Sequence, residues 1–317
     1  MSEASIDKVV AFNSICPYLD PHQRDELAAT LGLSAQDLEH RLQGLRNEDE
    51  LALVLHFLRC CKHLLKFDEG LSQLTQSASP DLLVQLLDGE TMFVEVKSST
   101  KDLKKISKGN LKRRIEVASD LGHPLFFAVK QRGMWGLFPA EHVAKTGKLK
   151  LVEDFKSSVF GAKFGNLLYT LPAGVEFRRV YQHGASGPLK HREHGTLVGF
   201  SVRFRGKTVL RARDSEPDMF AALLLGAVMS QAMPRIRRRG EATVCAHRLA
   251  FNLVVADYHL YLDLVRRTIR PDGQGPYDRT TYLKTVQSRE EPVNVAVVRE
   301  LFRRLEAGGL PCIRLQQ

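Results

Sequence analysis

A chain of 317 residues is longer than one compact core usually serves, and it suggests two domains with a small extra module. Its 44% hydrophobic and 26% charged content are those of a folded globular protein, which excludes wholesale disorder. Forty-six Lys and Arg against 36 Asp and Glu leave a net charge of +10, a field that attracts polyanions, either nucleic acid or an anionic membrane surface.

The membrane is the weaker of these. The most apolar run, residues 219–233, falls about one turn short of a span and contains Ser230 and Gln231. The first ten residues, MSEASIDKVV, lack the basic and apolar regions of a secretory signal. Cys16, Cys60, Cys61, Cys245 and Cys312 form no CxxC pair, and an odd count argues against a disulfide framework and against zinc. The expectation is a reduced, cytoplasmic protein with no membrane partner.

Residues 1–46 read as a helical module. One helix follows Asp20-Pro21 and stops at Gly32, and Ser34 can cap a second from Ala35 to Leu45. This is the outline of a helix-turn-helix. Asp37 and Glu39 on the second helix would repel phosphates, which favours packing or protein docking over DNA reading. A longer helix is expected over 47–66, with Leu51, Val54, Leu55, Leu58, Cys61 and Leu65 at helical spacing on its core face. Cys60 and Cys61 then read as packing thiols. Residues 67–78 carry some strand character. Two apolar runs, 80–87 and 91–97, are joined by Asp88-Gly89 and read as a β-hairpin.

The basic stretch 101–114 leads into a helix ending near Leu121-Gly122, striped by Leu111, Ile115 and Ala118. A strand at 124–130, a turn and a second strand at 134–138 follow; Trp135 reads as core packing. Residues 182–195 look like a linker. Beyond them lie a strand pair around 196–210, a buried helix at 218–233, the cluster RIRRRG, and helices near 248–269 and 293–307. The organisation expected is a 1–46 helical module, a catalytic domain over 47–181, and an α+β domain over 196–317 for substrate selection or assembly.

Residues two apart on a strand share a face, so Glu95 and Lys97 point one way while Val94 and Val96 point the other. The hairpin register brings Asp81, at the start of the preceding strand, beside Glu95. Two adjacent carboxylates repel unless a proton or cation lies between them. A Mg²⁺ ion, with Mn²⁺ as substitute, would take oxygens from Asp81, Glu95 and the Val96 carbonyl. It would activate water and offset charge at a reacting phosphate, with Lys97 orienting that water.

Pro80-Asp81, thirteen residues, then Glu95-Val96-Lys97 resembles the PD-(D/E)XK nuclease superfamily, the restriction-endonuclease-like fold. The family includes restriction enzymes, Holliday-junction resolvases and phage-defence nucleases. Its core runs helix, three strands, helix, strand in a mixed sheet, the order read above for residues 47–130. The resemblance implies an α/β fold, Mg²⁺-dependent DNA endonuclease activity, and an acidic residue on the first helix. Glu50 is the best match, with Glu48 as the fallback. The resemblance covers a quarter of the chain; residues 1–46 and 181–317 match no family on sequence motifs.

Lys104, Lys105, Lys108, Lys112, Arg113 and Arg114 follow the motif directly, so backbone phosphate contacts to DNA are expected there rather than a merely solvated face. Arg203, Arg205, Lys207, Arg211 and Arg213, and the cluster Arg235, Arg237, Arg238 and Arg239, read either as a DNA track or as solvated charge. His183, His191 and His194 read as loop residues, since no third metal ligand accompanies them. The competing function is a silent or partner-gated nucleic-acid-binding module on the same fold. Either reading is compatible with a homodimer, or with a helicase or another defence or repair partner protein.

Overall fold

The computed structural model describes residues 8–9, 11–12, 15, 19–67, 79–99, 103–131, 133–150, 154–187, 189–213, 225, 233–262 and 295–315. They form a mixed α/β protein of two compact units, one up to Gly165 and one from Asn166 onward, with helix 295–307 in the second. The first domain is expected to run to residue 181. Residues 168–171 and 176–182 instead pair with strands at 253–256, 313–315, 195–204 and 242–248, which places them in the second unit.

In the first unit, helix α1 (Pro21–Thr30) opens on a capping box in which Asp20 and Gln23 satisfy each other's backbone N–H groups. Helix α2 runs unbroken from Ala35 to Leu58, so the expected boundary at residue 46 falls inside a helix. The helix predicted over 47–66 ends earlier. Arg59 adopts a left-handed φ of 52°, and strand β1 (Cys61–Lys66) follows. That stop has no glycine to announce it. Cys60 and Cys61 therefore lie beyond the helix, half-buried, with their Sγ atoms 3.5 Å apart.

Strands β2 (Leu82–Leu86) and β3 (Thr91–Ser99) flank the Asp88-Gly89 turn, where Gly89 takes φ 94°. After a short β4 (Leu103–Lys105) come helix α3 (Lys108–Asp120), β5 (Leu125–Gln131) and β6 (Met134–Pro139). The central sheet has the order β1-β2-β3-β5-β6, antiparallel except for the parallel β3–β5 pair. Helix α4 (Ala140–Thr146) and β7 (Lys148–Lys150), which pairs with β4, complete this side of the unit, and α5 (Phe160–Phe164) closes its sequence.

Register assigns the two faces of this sheet. Leu82, Val94, Val96, Ala128 and Trp135 share one face, and α2 reaches it through Glu50 on Lys130 and Glu48 on Lys66. Phe93, Phe127, Val129 and Phe138 share the other, where Leu111, Ile115 and Ala118 of α3 and Val143 of α4 build a second core. Trp135, beside Lys130 on the first of these faces, is fully buried.

In the second unit, β8 (Leu168–Leu171) lies between β15 (Leu253–Ala256) and β16 (Ile313–Leu315). A larger antiparallel sheet contains β9 (Glu176–Gln182), β10 (Lys190–His191), β11 (Gly195–Phe204), β12 (Lys207–Arg213), β13 (Met233–Arg239) and β14 (Ala242–Arg248). The helix expected over 248–269 is β15 followed by helical residues 257–262; 263–269 lie outside the described residues. Residues 214–224 and 226–232, the expected apolar helix, also lie outside them. Helix α6 (Val295–Ala307) buries Val298, Leu301, Phe302 and Leu305, and Phe302 stacks on Tyr169 at 3.7 Å. Among the described residues no helix is long and apolar enough to cross a membrane.

Candidate active site

The β2–β3 register runs Leu82 to Val94 and Leu83 to Phe93, so one further step puts Asp81 across from Glu95. Asp81 is 7% exposed and Glu95 is fully buried, in a sheet whose neighbouring positions are apolar. Asp81 Oδ2 accepts the backbone N–H of Val96 at 2.6 Å. The N–H and carbonyl of a strand residue point to the same edge, so the Val96 carbonyl also faces the space at the start of β2.

Glu95 is held by two cations. Lys97 Nζ donates to its Oε1, and Arg114 Nε donates to its Oε2 at 2.6 Å. A fully buried carboxylate without such partners would be very costly, and these charge-assisted bonds offset that cost. Burial, followed by the nearby Glu95 charge, pushes the Asp81 carboxyl well above the usual range; Glu48 adds to the rise, while Lys97 and the Val96 N–H pull against it. Two buried carboxylates thus oppose each other with Lys97 beside both. Glu95, Lys97, Arg114 and Lys105 line a cavity of about 160 Å³ with Ser107 and Phe127, and Asp81 lies outside that lining.

Glu50 does not join this group. Its Oε2 accepts from Lys130 at 2.7 Å and its Oε1 from Trp135 Nε1 at 3.3 Å. Lys130 lies on the Val94–Val96 face of the sheet, opposite to Glu95, and so does Lys66, the partner of Glu48. Glu48, two residues earlier, is the helix carboxylate whose charge acts on Asp81, and it pairs with Lys66 at 2.9 Å. Both helix carboxylates thus pair with lysines on that same face, and the charge of Glu48 also acts on Asp81. Apolar spacing along α2 does not say which strand end each carboxylate meets.

Arg114 also departs from expectation. It is 14% exposed and bound to Glu95, whereas Lys105, Lys108, Lys112 and Arg113 are exposed. Position 114 lies three residues after Leu111 and four before Ala118, on the buried stripe of α3. That spacing is the signal that separates it from its basic neighbours. Lys104 lies on β4 opposite Leu149.

The oxygen donors of Asp81, Glu95 and Val96 suit a hard divalent cation. In the arrangement present, Asp81 Oδ2 is engaged by an N–H and both Glu95 oxygens by cations. Among the described residues no group of three or more His, Cys, Asp and Glu side chains is arranged to hold a metal. Binding would require Glu95 to exchange Lys97 or Arg114 for the ion.

No family model matches the chain, and no curated protein matches it significantly. Among solved structures, it is similar to a Holliday junction resolvase from the archaeal hyperthermophile Archaeoglobus fulgidus. The TM-score is 0.29 at 19% identity, covering 33% of this chain and 85% of that one. A likeness of that size carries no argument about function.

Proposed function

We propose that the chain is a divalent-metal-dependent nuclease that hydrolyses phosphodiester bonds in DNA, built on a restriction-endonuclease-like core. The observation that carries this reading is the pair of buried carboxylates, Asp81 and Glu95, opposed across the β2–β3 register with Lys97 two residues along. Asp81, Glu95 and the Val96 carbonyl would hold Mg²⁺, or Mn²⁺ in its place, with Glu48 acting on the same site from α2. Bound there, the ion would supply charge neutralisation at the phosphate and a more acidic water.

The protein's own groups divide the remaining work. Lys97, released from Glu95, would face the reacting phosphate and stabilise the charge that develops on it. Arg114 would hold Glu95 in its orientation. Lys105, Lys108, Lys112 and Arg113 would hold the DNA backbone without reading sequence. The test is incubation with plasmid and Mg²⁺, with EDTA as control. Nicking that EDTA abolishes and that Glu95→Gln removes supports the reading; EDTA-insensitive or absent cleavage across supercoiled, branched and single-stranded DNA contradicts it.

A further inference from the structure

The second unit carries a charge pattern that the cleavage site does not use. Register across the large sheet aligns Arg235, Ala246, Arg178, Ser201 and Arg211 in one cross-strand row. The next row on the same face contains Arg237, Val244, Val180 and Gly199. On the opposite face Phe177, Phe200, Val202 and Ala212 are buried, while Ile236 of the edge strand β13 is exposed.

On the arginine face, Arg211, Arg235 and Arg237 are exposed and form no ion pair among the described residues. Arg178 meets Glu176 at 3.0 Å. Small side chains floor the space between the cations, around an open cavity of about 360 Å³ lined in part by Arg178, Ser201, Arg211 and Arg237. Strands lie about 4.8 Å apart, so Arg235, Arg178 and Arg211 stand roughly 10 Å from one another along a row of about 20 Å.

We infer that this face is a second binding surface, for the phosphate backbone of duplex nucleic acid. Guanidinium forks match phosphate oxygens, and a row of this length meets several phosphates rather than one small anion. Among the described residues the two rows present no aromatic side chain, so the stacking platform that grips unstacked single strands is missing. Val180 and Val244 are half-buried and these rows carry no exposed large apolar side chain, which disfavours insertion into a lipid surface. Binding here needs neither a metal nor the Asp81–Glu95 site.

The test uses the full chain in EDTA, so that cleavage plays no part. Binding to two unrelated DNA duplexes and one RNA duplex is followed by fluorescence anisotropy over a range of salt. Arg211→Ala/Arg235→Ala/Arg237→Ala should weaken all three and flatten the log–log salt dependence by about 0.9 per lost contact. The matching triple Lys variant should keep most of the slope, which separates lost charge from lost fold. An unchanged slope in the alanine variant overturns the inference. So does a variant that loses only attachment to phosphatidylserine vesicles. Loss of cleavage in Asp81→Asn with duplex binding intact would leave this surface standing, and the converse would leave the cleavage site standing.

Discussion

The carboxylate of Asp81 accepts the backbone N–H of Val96 at 2.6 Å, a bond that ties the start of β2 to the middle of the motif on β3. It fixes Asp81 one strand away from Glu95, and burial with the Glu95 charge drives its carboxyl well up. A cation between the two removes the conflict, and a neutral side chain at either position removes it differently.

Mg²⁺ should therefore stabilise the folded protein. At an ion concentration about 100 times its Kd, the gain expected is about 2.7 kcal/mol. Thermal unfolding with and without Mg²⁺ measures it, and the increment should vanish in Asp81→Asn and Glu95→Gln. An equal increment in all three proteins would place the ion elsewhere.

Glu48 and Glu50 should separate. Glu48→Gln should lower cleavage by roughly 10- to 100-fold, as expected when a group supporting a metal site is lost. Glu50→Gln should leave cleavage nearly unchanged and cost about 1–3 kcal/mol of stability, because it weakens the part-buried pair with Lys130 and the bond from Trp135. Single-turnover rates and urea unfolding of both variants decide between them; the reverse ranking would restore Glu50 to the site.

Arg114 and the exposed cations of α3 should also differ. Lys108→Ala/Lys112→Ala/Arg113→Ala should flatten the salt dependence of DNA affinity by about 0.9 per lost contact while sparing turnover at saturation. Arg114→Ala should leave that slope nearly unchanged and lower turnover, since it frees one oxygen of the buried Glu95. If both variants change only the slope, Arg114 belongs with the exposed group.

Asp257 gives a pH signature within the second unit. Burial raises its carboxyl to about 6, against the pull of Arg299 and the Leu167 N–H. A carboxyl whose folded value exceeds its unfolded one binds protons more tightly when folded, so its contribution falls as pH rises from about 4 to about 6. Asp257→Asn should flatten the stability profile across that window by up to about 3 kcal/mol. Urea unfolding at both ends of the window tests this, and parallel profiles for wild type and variant would contradict it.

Much of the central sheet was legible because its signals are local. Asp88-Gly89 between two apolar runs specifies a hairpin, and its register puts Asp81 beside Glu95 without reference to the rest of the chain. The stripe Leu111, Ile115 and Ala118 likewise announces α3 and the face it buries. What failed depends on tertiary context. The α2 stop uses a left-handed Arg59, for which sequence offers no cue, so the helical apolar spacing runs on through β1. Helical phase places Glu48 and Glu50 on α2 but does not say which strand lysine each one meets. In the second unit, β15 is a short apolar run with no period long enough to tell strand from helix.

The central claim is tested most directly by cleavage of supercoiled plasmid under Mg²⁺, comparing wild type with Glu95→Gln and Lys97→Ala. The wild type should nick or linearise the plasmid, EDTA should abolish the activity, and each variant should fall by at least about 100-fold while remaining folded, the scale of loss when a group that stabilises transition-state charge is removed. Cleavage by both variants at the wild-type rate would contradict the assignment of the Asp81–Glu95–Lys97 site.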